Sequence, residues 1–333
     1  MAKKRVNLII SLTIGLAIFS IFLWKTGPES INLILKNMNF KYFLAYLFFT
    51  TVTLFPITLR WRVILKAYKK EIPFLTLFKQ TIAGFAVSYV TPSVRLGGEP
   101  LRAYMLKKEC NVNLKTGATT IILDKFVELT GSIIFGIAGL ALLTAIPGVP
   151  FFTKIFLAFL LILTLFGLFI LYYRTLKNKE SFSYLFKLLR FYKIKKIKNF
   201  VYVLREIELK MAKFFQNHKK EFIASFFYYF LYGFLIILEF KFLLLSFGIR
   251  ATITEIILSL TVLGIVNFIP VPAALGFLEA GQSGLFFLLK KQGSIGFALS
   301  LIIRLRNLLF VAIGFSLISY FTGKQIENRK LRE

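Results

Sequence analysis

The sequence predicts an all-α polytopic membrane protein. About eight transmembrane helices and two re-entrant or short helices are expected, arranged as a two-fold internal repeat. Three observations predict this. Hydrophobic residues make up 57% of the 333 residues, above the apolar share of soluble domains. Apolar runs long enough to cross a bilayer recur along the whole chain. The 43 Lys and Arg residues, set against 15 Asp and Glu for a net charge of +28, fall mainly between those runs. There they set orientation and meet anionic headgroups. The chain 1–333 reads as one integral membrane domain.

The same composition excludes other classes. So basic a soluble protein would suggest nucleic acid, but no stretch is long enough to form a reader, and no nucleic-acid partner is expected. Cys110 is the one cysteine, which rules out an internal disulfide and a thiolate metal cluster. His218 is the one histidine and lies in a basic loop, so neither a His-based metal site nor a Ser-His-Asp triad is expected. No nucleotide or metal motif is visible, and no cofactor is expected.

The chain opens with a basic start and an apolar run, 6–24, without a small-residue cleavage site, and reads as an uncleaved first span. Residues 29–40 look amphipathic and interfacial. The second span is 42–59, followed by the basic stretch around Arg60, Arg62, Lys66, Lys69 and Lys70. The third is Phe74–Val90. After a charged segment, 118–146 is long and apolar, Pro147-Gly148 turns it, and 151–173 spans again. Residues 174–221 form the most basic segment, expected in the cytoplasm with one or two helices on the membrane surface. Spans 222–247, 253–268 and 295–321 complete the chain, the first of them carrying Glu239 and Lys241.

Shifting the chain against itself by 180 residues places Pro92 on Pro272, Glu99 on Glu279, Asp124 on Arg304 and Phe135 on Phe315. A one-residue gap brings Gly97 to Gly276. The halves are 41–173 and 222–322, each a Pro-ended span, a Gly turn, a short helix ending near a Lys pair, and a span with charge in its first turns. Keeping the N-terminus, 60–72, 174–221 and the tail cytoplasmic requires 95–110 and 276–291 to cross the membrane effectively, which inverts one half relative to the other. If those elements return to their own side, the halves are parallel instead.

The chemistry is expected in 91–128. Gly98 followed by Pro100 signals a helix start. Such an N-terminus offers free N–H groups to a phosphate, and glycine admits close approach. Arg95 and Arg102 flank it as candidate clamps for a headgroup, so Arg95, Gly97, Gly98, Glu99 and Arg102 are the expected substrate-binding set. The bland alternative is a Gly-Gly turn with an Arg–Glu pair holding a re-entrant helix. Asp124 and Glu128 share a helix face, and with Glu279 and Arg304 form the expected gating or coupling set. An Asp124–Arg304 pair would bridge the two halves, as a lock or as a gate.

At these residues the chain resembles the flippase-like transmembrane region of lysylphosphatidylglycerol synthases. The resemblance rests on LGGEPLRAYML, DKFVE, PVPAALGFLE and the arginine of the last span, and covers essentially the whole chain. Ala273-Ala274 stands where a more glycine-rich form is expected. The resemblance implies an eight-span bundle with re-entrant helices that moves an anionic or aminoacylated phospholipid, or a polyisoprenyl-phosphate lipid, across the plasma membrane. Synthases carry a soluble domain after this region. Here the chain stops at Glu333, so aminoacyl transfer from tRNA is not expected.

Three functions follow. The favoured one is a lipid flippase or transporter whose partners are anionic membrane lipids. The second is an accessory subunit of a lipid-modifying or glycosyltransferase enzyme. The third is an intramembrane enzyme using Asp124 and Glu128 as acid and base; this is the least favoured, and an enzyme is not expected.

Overall fold

The computed structural model of the chain describes residues 38–91, 96–146, 151–177 and 208–330, with scattered helical positions between 20 and 36. Most of the expected first span 6–24, Pro92, Arg95, the Pro147-Gly148 turn and the middle of the basic segment lie outside the described residues. The described residues include the helices α1 Phe40–Val52, α2 Leu54–Ala67, α3 Phe74–Val90, α4 Glu99–Cys110, α5 Leu114–Ala145, α6 Phe151–Leu176, α7 Lys219–Ser246, α8 Ile253–Val266, the 3-10 turn Pro272–Ala274, α9 Phe277–Leu288 and α10 Gly293–Lys330. A further helical segment covers 208–217. Among the described residues there is no strand.

Among the described residues, five stretches are long and apolar enough to span a bilayer: Phe40–Ala67, Leu114–Ala145, Lys154–Arg174, Lys219–Ser246 and Gly293–Glu327. Phe74–Val90 and Ile253–Val266 are shorter apolar helices. The protein is an all-α, multi-pass membrane protein. α1 and α2 form one bent span. Pro56 cannot donate to the carbonyl one turn back, and the chain bends at Thr53, whose hydroxyl donates to the Thr50 carbonyl at 2.8 Å. α6 lies at the periphery, with Phe152, Phe156, Phe159 and Phe166 exposed, as a lipid-facing helix must.

Local sequence explains the ends. Asn39 accepts from Lys41 N–H at 3.1 Å to open α1. A Thr252–Glu255 capping box opens α8. Glu99 rather than Pro100 is the first residue of α4, which Asn111 ends in the left-handed region (φ 51°). α4 and α9 are 12 residues each, about 18 Å of helix, and cannot cross about 30 Å of hydrocarbon.

A short apolar helix, a glycine, a 12-residue helix with glutamate in its first turn and a long helix occur in order as α3–α4–α5 and as α8–α9–α10. The triples pack across each other. α3 lies against α10, where Gly314 sits so close that a Cβ there would fall 2.4 Å from that of Ala86. α8 lies against α5, where a Cβ on Gly139 would fall 1.8 Å from the Thr261 hydroxyl. Small residues permit such approaches, since van der Waals contact and hydrogen bonds, not solvent exclusion, hold helices together in lipid. α7 braces the assembly, packing on α1 and α2 and setting Phe240, Leu243, Leu244 and Phe247 into the main apolar core with α8, α9 and α10. The segment 208–217 buries Met211, Phe214 and Phe215 against Ile64 and Phe126, so this part of the basic region is docked on the bundle by aromatic packing.

Candidate functional site

The residues expected to carry chemistry in 91–128 meet on α2, α4 and α5. The Arg60 Nε donates to Asp124 Oδ1 at 2.7 Å and its Nη2 to Glu128 Oε2 at 2.9 Å. Arg102 reaches the second Asp124 oxygen from Nη2 at 3.3 Å and Glu99 Oε2 from Nη1 at 3.1 Å. Lys125 joins Glu99 at 3.1 Å to Glu128 at 3.2 Å. Together these contacts close a ring: Arg60, Asp124, Arg102, Glu99, Lys125, Glu128 and back to Arg60. Cations and anions alternate, three of each, so the ring is neutral. Burial demands this arrangement, because an unpaired charge inside a membrane bundle costs several kcal/mol.

Burial is deepest at Asp124 (0% exposed), Arg60 (2%) and Arg102 (5%). The helix period explains the face of α5, where Asp124 and Glu128 stand one turn apart and both meet Arg60. On α2, Pro56, Arg60, Ile64 and Ala67 form one buried face. The Arg102 guanidinium lies over the Trp61 ring, its central carbon 4.0 Å from the centroid, a favourable cation–π position. The two arginines are held differently. Arg60 has both contacts in the charge-assisted range, whereas Arg102 contacts are 3.1–3.4 Å and its Nε has no hydrogen-bond partner.

Gly98 permits a close approach within the protein itself. A Cβ on Gly98 would fall 1.9 Å from the Gly84 carbonyl oxygen, and one on Gly84 would fall 2.7 Å from the Arg102 side chain. The close approach that Gly98 permits is to α3, and its N–H donates to Ser88 Oγ at 2.9 Å. Gly97 is half-buried beside it. Arg95 lies outside the described residues.

The expected Asp124–Arg304 bridge is not formed. Asp124 is taken by Arg60 and Arg102, while Arg304 donates from Nε to Glu279 Oε1 at 2.8 Å and from Nη1 to the Ala273 carbonyl at 3.3 Å. Glu239 pairs with Arg306, not with Lys241, which is exposed. The gating set therefore divides between two clusters, Asp124 and Glu128 in one, Glu279 and Arg304 in the other. Ala273 and Ala274 adopt left-handed backbone (φ 55° and 49°), so the turn takes a glycine-like path without glycine.

Sequence reasoning missed Arg60, Lys125 and Arg306. Arg60 was placed in a basic loop after a span ending at 59. The available signal was its spacing, one turn after Pro56 and one before Ile64 on a face that continues apolar.

A family model described as the lysylphosphatidylglycerol synthase TM region matches residues 8–314. The chain belongs to this family. Among similar proteins, a UPF0104 membrane protein of Pyrococcus horikoshii is 23% identical over 311 residues, 88% of this chain and 90% of that one. A UPF0104 membrane protein of Methanothermobacter thermautotrophicus is 32% identical over 143 residues, 43% of this chain and 41% of that one. A third, of Methanocaldococcus jannaschii, is 27% identical over 126 residues, 38% and 36% of the two chains. The matched region thus spans less than half the length of the Methanothermobacter and Methanocaldococcus relatives. No solved structure matches the chain.

Proposed function

We propose that the protein moves lipids with anionic headgroups across the membrane, with Arg102 as the group that takes the headgroup phosphate. The observation that carries the reading is the loose hold on Arg102. Its contacts are long for charge-assisted bonds, and its buried Nε has no acceptor. A phosphate offers acceptors for a guanidinium fork that two carboxylates leave partly used. In this reading the headgroup displaces Asp124 and Glu99 from Arg102, and Arg60 and Lys125 hold the released carboxylates.

Two further features support a transporter. The ordered triples α3–α4–α5 and α8–α9–α10 read as an internal repeat, with Glu99 and Glu279 as corresponding residues, each ion-paired to the long helix that follows. Transporters are commonly built from such related halves with interrupted helices at their interface. In this reading the membrane is the plasma membrane and the N-terminus and 174–221 lie in the cytoplasm, an orientation that the basic excess of those segments supports.

The test is purified protein in liposomes doped with fluorescent phosphatidylglycerol or phosphatidylcholine, with loss of outer-leaflet signal on adding a reductant. Faster movement of the anionic lipid is expected. If neither lipid moves faster than in protein-free liposomes, the transport reading fails and an accessory role beside a lipid-modifying enzyme takes its place.

A further inference from the structure

α8 and α9 carry four buried side-chain oxygens without a hydrogen-bond partner: Glu279 Oε2, Gln282 Oε1, Ser259 Oγ and Ser283 Oγ. Gln282 and Ser283 lie three and four residues after Glu279 on α9, so each neighbours Glu279 on the helix surface. Ser259 is held at that surface because its carbonyl accepts from Gln282 Nε2 at 2.9 Å. A carbonyl can only accept, so the Gln282 nitrogen must point to it, which leaves the Gln282 oxygen turned away with its lone pairs open. Glu279 and Gln282 are 0% exposed, Ser259 0% and Ser283 5%. Buried polar atoms without partners are rare, and each needs a reason.

We propose that this face binds a monovalent hard cation, sodium by preference. Every open atom is an oxygen, and none of the four is an N–H donor asking for an acceptor. One is a carboxylate oxygen whose partner oxygen is already fixed by Arg304. Oxygen-only donor sets suit hard cations. A divalent or transition metal fits poorly, because the face supplies one carboxylate, and no group of three or more His, Cys, Asp or Glu among the described residues is arranged to hold a metal ion. With Glu279 and Arg304 cancelling, a bound cation adds one positive charge to the bundle, which would attract an anionic headgroup. Cation and lipid would therefore favour each other's binding, and by linkage the effect is reciprocal. That coupling role rests on the transport reading above; the binding site does not.

The experiment is thermal unfolding of the detergent-purified full chain in sodium, potassium, lithium or choline chloride at equal ionic strength. The midpoint should rise with sodium and saturate. In Ser259→Ala and Ser283→Ala, which leave the Glu279–Arg304 pair intact, half-saturating sodium should rise about tenfold. Radioactive sodium binding to the wild type gives a second readout should a variant not fold, with one ion per chain expected. Equal midpoints in all four salts, or no bound sodium, would overturn the proposal and leave these oxygens to ordered water. Sodium stabilisation unchanged in both variants would overturn it too, by placing the ion elsewhere. Sodium binding that leaves lipid movement unaffected would remove the coupling role alone. Absence of lipid movement would strike the transport reading without touching the binding result.

Discussion

The charge ring on α2, α4 and α5 and the polar face on α8 and α9 solve the same problem in opposite ways. Both place ionised groups inside an apolar bundle. In the ring every cation has two anionic partners and every anion two cationic ones. On the second face Glu279 has one oxygen bound by Arg304 and one with no partner, beside further open oxygens of Gln282, Ser259 and Ser283. Saturation makes the ring a lock, with spare capacity only at the Arg102 Nε. The open oxygens make the second face a receptor. Where a bundle tolerates charge, the count of unused donors and acceptors separates groups that hold from groups that bind.

The comparison can be broken at the ring. Asp124→Asn removes the anion that two buried arginines share and should destabilise the fold by about 3–5 kcal/mol, read as a lowered unfolding midpoint in detergent. Equal stability of this variant and wild type would show that the ring is not a lock. Gly98→Ala drives a methyl into the Gly84 carbonyl and shifts α4, which carries Arg102 and Glu99, from α3. A loss of about 1–3 kcal/mol is expected, and an unchanged midpoint would mean that the close approach at Gly98 is not required.

The second face sharpens the contrast with a smaller effect of opposite sign. Ala273→Gly removes the Cβ from a left-handed residue and should stabilise by about 1 kcal/mol, the strain such a residue carries. Destabilisation would mean that the added freedom of the unfolded glycine outweighs that strain.

Much of this was legible in the sequence. Length and hydropathy of the apolar runs predicted an all-α membrane fold, and the four-residue spacing of Asp124 and Glu128 predicted their shared face. The start of α4 followed from Gly98 and Pro100 to within one residue. Partner choice was not legible. The repeat shift aligned Asp124 with Arg304, but alignment is not contact, and each pairs within its own half. Arg60 was hidden because a span boundary drawn at the first arginine assumes that charge marks the membrane edge. A buried arginine paired with two carboxylates violates that assumption, and its partners lie more than 60 residues away. Gly98 was assigned to a ligand because glycine says only that something comes close; that it is the α3 backbone is a matter of tertiary packing.

The most direct measurement is lipid movement by Arg102→Lys in liposomes, with Arg60→Lys beside it. Lysine keeps the ring neutral but loses the planar fork that would hold a phosphate. For Arg102→Lys, the account predicts a folded protein that moves anionic lipid at least about tenfold more slowly. It predicts the larger fall in unfolding midpoint for Arg60→Lys, because that arginine has the shorter bonds. A folded Arg102→Lys protein that moves anionic lipid at the wild-type rate would contradict the claim that Arg102 takes the headgroup.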